Sequence, residues 1–136
     1  MGPIAFQGEY GAFSELAARH YFGSDVEVSP SLTFSDVFDK VSDGTAEAGM
    51  IPIENSLAGS IHENYDLLLE HRLFIVGEIK LRIVHHLIVN PGVTLNEVRK
   101  VISHPQALAQ CRDYLRSLPQ VTVIPVYDTA GAVREL

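Results

Sequence analysis

The sequence has almost no cysteine, no tryptophan and no long apolar run. Its single cysteine, Cys111, cannot form a disulfide within the chain, which suits a reducing compartment, and we therefore expect a cytoplasmic protein. No apolar stretch approaches the roughly 20 residues that span a bilayer. The start, Met-Gly-Pro-Ile-Ala-Phe, lacks the basic segment and the cleavage site of a secretory signal. We expect no membrane partner.

Positive charge is also scarce. The chain has 10 Lys and Arg against 17 Asp and Glu, which gives a formal net charge of −7, and no basic cluster exceeds two neighbours. Nucleic-acid binding needs a local basic stripe to meet the phosphates, so we expect no nucleic-acid partner. A small anionic ligand is not excluded, because the free N–H groups at a helix N-terminus bind anions without any lysine or arginine.

The histidines and the cysteine do not form a metal-ligand pattern. His85 and His86 are neighbours on a predicted strand and so face opposite sides, and His62 and His71 are nine residues apart. Cys111 falls on the apolar face of a predicted helix, which is typical of a core residue rather than a nucleophile. We expect neither a metal nor a cofactor.

Apolar runs alternate with helical periods along the chain, which predicts an α/β fold with mostly parallel strands. A hydroxyl and a carboxylate three residues apart form a capping box, and three such boxes predict helix starts at Thr33, Ser60 and Thr94. The helix after Ser60 is expected to turn Ile61, Tyr65, Leu68 and Leu69 inward. The predicted strands are residues 4–6, 26–28, 48–53, 73–76, 83–89, 101–102 and 121–126.

The stretch of residues 73–89 breaks the alternation of strand and helix, because it holds two predicted strands with no helix between them. This stretch is therefore the best candidate for a crossing between two lobes.

Four predicted strand-to-helix turns carry small, hydroxyl or amide residues. In open α/β folds, ligands bind beyond the carboxyl ends of the strands, where loops meet helix N-termini. Backbone N–H groups and the positive end of the helix dipole gather there and hold a carboxylate or phosphate. Together the turns predict a small-anion site, although each one alone is more simply explained as an N-cap or a tight turn. They are residues 8–14, 54–60, 103–106 and 128–131.

Three polar residues around the third turn are spaced three and four apart. A helix beginning near Pro105 would place Ser103, Gln106 and Gln110 on one face, beside an apolar face. A hydroxyl and two amides next to apolar residues resemble the wall of a site that orients a polar ligand, and a solvated surface stripe is the alternative. Glu54 is a candidate acid or base, but a carboxylate at a helix entrance is more often a structural charge. The apolar face would hold Leu108, Cys111, Leu115 and Leu118.

These same residues lie in segments that resemble the prephenate dehydratase and arogenate dehydratase family, in the family's order and spacing. The Pro-x-Glu-Asn-Ser and Ser-His-Pro-Gln signatures are the most specific. The segments are Ala5-Phe-Gln-Gly-Glu-Tyr-Gly-Ala-Phe-Ser-Glu15, Ile51-Pro-Ile-Glu-Asn-Ser-Leu-Ala-Gly-Ser-Ile-His62, Asn64-Tyr-Asp-Leu-Leu-Leu69, Ser103-His-Pro-Gln-Ala-Leu-Ala-Gln-Cys111 and Asp128-Thr-Ala-Gly131.

The resemblance implies a two-lobed architecture like that of type II periplasmic binding proteins. The first lobe would comprise residues 1–76 and the second residues 77–136. In the family, the chain then returns to complete the first lobe with a Thr-Arg-Phe motif and continues into an ACT regulatory domain. Neither is present here, and Thr129 precedes Ala130 rather than an arginine. The resemblance therefore implies an incomplete first lobe and little or no activity for this chain alone.

The resemblance also implies which residues bind the substrate, while the family's catalytic threonine lies beyond residue 136. The implied function is the decarboxylating dehydration of prephenate to phenylpyruvate in phenylalanine biosynthesis, by a cytoplasmic lyase that forms homo-oligomers. Arogenate dehydratase is one alternative, and a non-catalytic two-lobe module that binds a small carboxylate is another. Self-pairing of unfinished sheet edges is a third possibility. The expected substrate-binding residues are Glu54, Asn55, Ser56, Ser103, Gln106, Gln110, Thr129 and Ala130.

Overall fold

The computed structural model describes residues 1–56, 59–126 and 128–136. These residues separate into two compact units, Met1–Arg82 and Ile83–Leu136. Each unit holds a parallel sheet with helices packed on it, which confirms the mixed α/β class expected from the sequence. The division falls within the stretch of residues 73–89, somewhat after the predicted lobe boundary at 76. That the units are lobes of a periplasmic-binding-protein-like architecture stays a prediction.

The first unit is built on a three-stranded parallel sheet of order β2-β1-β3. The strands are β1 (Ile4–Gln7), β2 (Val28–Ser31) and β3 (Ala48–Met50). In register, Ile4 lies opposite both Val28 and Ala48, so β1 is the central strand. An unbroken apolar run is what a strand covered on both faces requires. Ile4, Ala5 and Phe6 are accordingly 0% exposed.

Helices α1 (Phe13–Phe22) and α2 (Phe34–Ser42) pack on this sheet. Ile4 and Phe6 cluster with Ala18 of α1, while Ala5, between them, clusters with Val37 of α2. Because successive strand residues point to opposite faces, the two helices cover the two faces of the sheet. The predicted capping box at the start of α2 is confirmed, since the Thr33 hydroxyl accepts from the Asp36 N–H and the Asp36 carboxylate accepts from the Thr33 N–H.

After β3 the chain forms a short antiparallel hairpin, β4 (Glu54–Asn55) and β5 (Gly59–Ser60), and then α3 (His62–Glu70). The predicted capping box at Ser60 is wrong. Ser60 pairs with Glu54 in the hairpin and its hydroxyl donates to the Glu54 carboxylate, so α3 begins at His62 without a side-chain cap. The predicted inward face of α3 is also wrong, because Asn64 and Leu67 are the buried residues and Leu69 is 86% exposed.

The second unit is built on two parallel strands, β6 (Lys100–Ser103) and β7 (Thr122–Pro125). Helix α4 (Pro105–Gln110) contacts β7, and α6 (Thr129–Arg134) contacts β6. The single helix expected after Pro105 is two short ones, because Cys111, with φ −99° and ψ 11°, separates α4 from α5 (Arg112–Arg116). The capping box at Thr94 is confirmed and opens a single 3-10 turn, Leu95–Glu97.

The two strands predicted at residues 73–76 and 83–89 do not form in the described part of the chain. Apolar and β-branched side chains suit a strand, but a strand exists only when its backbone pairs with a neighbour. Here the run pairs with no strand among the described residues, and Phe74 and Ile75 are 90% and 72% exposed. Among the described residues, no helix has both the length and the apolar character needed to cross a membrane.

The cap of α2 gives a first prediction. Thr33→Ala removes the acceptor of the Asp36 N–H, 3.1 Å away, and should lower the free energy of unfolding by about 1 kcal/mol, measured by urea denaturation. Thr33→Ser keeps the hydroxyl and is the matched control, expected near wild type. Equal losses in both variants would show that the cap does not stabilise α2.

His71, at the end of α3, gives a pH-dependent prediction. Its Nε2 lies 3.1 Å from the Asp39 carboxylate of α2, and its Nδ1 lies 3.1 Å from the Leu67 carbonyl. The hydrogen bond to Asp39 raises the pKa of His71 above its ordinary value of 6.5, with a smaller contribution from the Leu67 carbonyl, while partial burial opposes the shift. The resulting stability is full below the unfolded pKa of about 6.5 and is lost as pH rises through the higher folded pKa.

Asp39→Asn should therefore lower the pKa of His71 in an NMR titration and reduce the extra stability of the fold on the acid side. Asp66→Asn, an exposed change on α3, is the control and should leave both quantities near wild type. A wild-type pKa at or below the ordinary value, or one that Asp39→Asn does not change, would contradict this account.

Candidate functional site

Two predicted turns lie at the carboxyl edge of the first sheet. Because β1 and β3 are parallel, the turn after Gln7 and the segment after Met50 leave the sheet at the same edge. Gly8 and Gly11 have φ values of 117° and 93°, which favour glycine because it has no side chain. The Gly8 N–H donates to the Ser31 carbonyl at 2.9 Å, and the Gly11 N–H donates to the Glu15 carboxylate at 2.7 Å. The backbone N–H groups of Gly8 and Gly11 therefore already have acceptors within the fold.

Glu54, Asn55 and Ser56 follow β3 at this edge. The Glu54 carboxylate accepts from the Ser60 hydroxyl at 3.3 Å across the hairpin, which supports a structural reading of this exposed carboxylate. Asn55 is half-buried and Ser56 is exposed. Residues 57 and 58 of the predicted turn lie outside the described residues.

Asn64 is a residue of this region whose position the sequence analysis did not predict. Its side chain is 0% exposed, and its Nδ2 donates to the Pro52 carbonyl at 2.8 Å, which ties α3 to the segment leading into Glu54. Its Oδ1 is buried with no partner among the described residues. The signal in the sequence is the spacing to Leu67, since residues three apart share a helix face. An asparagine that shares a buried helix face with a leucine is expected to make a hydrogen bond that stabilises the fold.

The other two predicted turns share the carboxyl edge of the second sheet. Ser103 and Pro125 are the last residues of β6 and β7 and lie opposite each other in register. Ser103 is half-buried and belongs to the strand, so the predicted helical stripe that included it is wrong on this point. His104 is the N-cap of α4, and its Nδ1 accepts from the Gln106 N–H at 3.1 Å. His104 therefore caps the first turn of α4.

The two glutamines of the predicted wall do lie on one helix. Gln106 and Gln110 are four residues apart in α4 and therefore share a face. Gln106 is exposed and Gln110 is half-buried. The Gln110 amide oxygen lies 2.6 Å from the Nε2 atom of His85.

Thr129 and Ala130 form the start of α6, and both are half-buried. The N-cap is Asp128, whose carboxylate accepts from the Gly131 N–H. A carboxylate at this position satisfies the helix dipole and would repel a second anion. The Thr129 hydroxyl is therefore a better candidate for ligand contact than the backbone N–H groups of this entrance.

The arrangement offers neutral hydrogen-bond donors at two sheet edges. Three of the predicted site residues lie in the first unit and five in the second. None of the eight is a lysine, arginine or histidine. Hydroxyls and amides can hold carboxylate oxygens and donate a hydrogen bond to a leaving hydroxyl. That these residues bind one ligand stays a prediction.

Two parallel sheets with helices packed on them make this an α/β protein, and ligands in open α/β folds usually bind at the carboxyl ends of the strands. Comparison with known proteins makes this specific. Residues 4–136 match the family described as prephenate dehydratase. The chain belongs to that family.

Three individual proteins show the similarity, and two of them are described as dehydratases of this family. The chain is 47% identical to arogenate dehydratase/prephenate dehydratase 2 of Arabidopsis thaliana, over 98% of its own length and 34% of the relative's. Among solved structures it resembles GqqA, described as a novel type of quorum quenching acylase, with TM-score 0.83 and 42% identity over 95% of this chain and 46% of that one. It also resembles the prephenate dehydratase of Arthrobacter aurescens in complex with L-Phe, with TM-score 0.79 and 28% identity over 98% and 45%. The chain spans about a third of the length of the curated relative.

Asn64 gives a prediction for this region. Asn64→Ala removes the donor to the Pro52 carbonyl and empties a wholly buried position, so it should lower the free energy of unfolding by about 1–3 kcal/mol. The backbone amide signal of Asn55 should also shift in an NMR spectrum, because Pro52 leads into that residue.

The matched control is Asp66→Ala, an exposed change on the same helix that should stay within about 0.5 kcal/mol of wild type. If Asn64→Ala matches that control in stability and leaves the Asn55 signal in place, Asn64 does not hold the segment from Pro52 to Asn55.

Proposed function

We propose that the protein is a lyase that removes carbon dioxide and water from prephenate to give phenylpyruvate, a step in phenylalanine biosynthesis. The observation that carries this proposal is the match of residues 4–136 to the prephenate dehydratase family. The Arabidopsis relative, whose name gives both arogenate and prephenate dehydratase, supports it. We propose this activity for the whole protein, and the match covers 34% of the length of that relative.

The proposed reaction makes a non-aromatic ring aromatic. The bond between the ring and its carboxylate breaks, its electron pair moves into the ring, and the hydroxyl on the opposite ring carbon leaves. The carboxylate becomes carbon dioxide, and the hydroxide takes one proton to become water. The protein therefore has to hold the carboxylates and donate a hydrogen bond or proton to the leaving oxygen.

The predicted site residues have the chemistry for these tasks. We assign the Asn55 amide and the Ser56 and Thr129 hydroxyls to the carboxylates, with the Ala130 N–H in a secondary role because the Asp128 carboxylate already caps this helix. The Ser103 hydroxyl and the amides of Gln106 and Gln110 would orient the ring substituents. Glu54 is assigned a supporting role through its bond with Ser60. None of these steps needs a metal or a cofactor.

The two units are proposed to be lobes of a type II periplasmic-binding-protein-like architecture. Arogenate, which carries an amino group where prephenate has a keto group, is the alternative substrate, and both occur in the name of the Arabidopsis relative. Homo-oligomerisation and a cytoplasmic location stay predictions.

Calorimetric titration of the 136-residue chain tests the proposal. Prephenate should bind more tightly than succinate, and Ser103→Ala and Gln106→Ala should each weaken prephenate binding about tenfold, because each removes one hydrogen bond to a charged ligand. The control is Gln120→Ala, which precedes β7 and so lies at the opposite, amino-terminal edge of the same sheet. It should bind like wild type. Phenylpyruvate formation is measured on the same samples.

Succinate binding as tight as prephenate binding would favour the non-catalytic carboxylate-binding module. Equal effects of Ser103→Ala and Gln120→Ala would contradict the placement of the site at the carboxyl edge.

A second candidate function is hydrolysis of an N-acyl bond, and one observation favours it. GqqA, described as an acylase, has a TM-score of 0.83 and 42% identity with this chain. The same samples incubated with an N-acyl amide would release a carboxylic acid if this function applies. We expect no such release above the uncatalysed background.

A further inference from the structure

His85 makes a specific contact that the proposed reaction does not yet use. It lies in the segment of residues 83–89, 25 residues from Gln110, and its Nε2 approaches the Gln110 amide oxygen to 2.6 Å. Both side chains are half-buried, and both belong to the second unit. The contact therefore joins an irregular segment to the last residue of α4.

The chemistry of the contact fixes the direction of the glutamine amide. An amide oxygen only accepts hydrogen bonds, so the imidazole Nε2 must carry the proton and donate. A glutamine amide has its acceptor at one end and its donors at the other. Because the Gln110 oxygen faces His85, any group that hydrogen-bonds to the Gln110 amide nitrogen must be an acceptor. A free glutamine side chain has several rotamers, and one that is already held loses less freedom on binding.

We infer that His85 is a positioning residue, which holds the Gln110 amide so that its N–H groups face an acceptor oxygen of the substrate. This rests on the proposed function, because it takes Gln110 as a residue of the substrate site. Keto and carboxylate oxygens accept such bonds, whereas an ammonium group does not. If Gln110 contacts the keto group of prephenate, its N–H groups can donate to that oxygen. The amino group that arogenate carries in its place cannot accept such a bond, so the contact favours prephenate.

The test combines a reading of the contact with a reading of binding, on the 136-residue chain. In NMR spectra, His85 should have its proton on Nε2, and His85→Leu should shift the side-chain NH₂ signals of Gln110. In calorimetry, His85→Leu should weaken prephenate binding about tenfold, as expected for a lost hydrogen bond that orients a ligand contact. His85→Gln should restore much of the affinity, since its amide can again donate to Gln110. His86→Leu, an exposed neighbour, is the control and should bind like wild type.

A double-mutant cycle separates positioning from a general structural role. In a Gln110→Ala background, His85→Leu should have no further effect on affinity, because the side chain it positions is gone. An equal additional loss there, or wild-type affinity for His85→Leu alone, overturns the inference. If the wild-type chain does not bind prephenate at all, the proposed function fails and takes the ligand part of this inference with it. The NMR signals still report whether His85 holds Gln110.

Discussion

Parallel pairing of neighbouring strands is the interaction on which the rest of the structure depends. β1 pairs with β2 and β3 in the first unit, and β6 pairs with β7 in the second, all in parallel. Parallel strands end at the same edge, so the chain must leave every sheet through turns that lie side by side. For this reason the polar residues after Gln7 and Met50 lie at one edge of the first sheet, and those after Ser103 and Pro125 lie at one edge of the second. The sheet, rather than any single motif, brings the candidate site residues together within each unit.

The hydrogen bonds at the helix N-termini then determine which polar groups are available to a ligand. The Gly11 N–H, the first turn of α4 and the first turn of α6 already have acceptors, namely Glu15, His104 and Asp128. Backbone N–H groups alone should therefore bind an anion less tightly than the sequence predicts. Ligand binding then depends on side-chain hydroxyls and amides, and neighbouring residues must fix the orientation of those side chains. The contact of His85 with Gln110 is such an orienting contact.

Local signals predicted the parts of the fold that depend on local contacts. The capping box at Thr33 formed because its two partners are three residues apart and nothing competes for them. The similar box at Ser60 failed because Ser60 pairs with Glu54 in the hairpin and the helix begins only at His62. Burial of Asn64 and the lack of a ladder at residues 83–89 depend on partners distant in sequence, which periodicity alone does not reveal. The candidate site residues are predicted from their motifs, whereas their hydrogen-bond partners depend on the fold and could not be predicted.

The most direct measurement is an NMR titration of the chain with prephenate, followed through the backbone amide signals. If substrate binds beyond the carboxyl ends of the strands of the second unit, the signals of Ser103 and Thr129 should move together with one affinity. The signal of Arg99, at the amino-terminal edge of the same sheet, should stay in place. Movement confined to that amino-terminal edge, or different affinities at Ser103 and Thr129, would contradict a substrate site at the carboxyl edge.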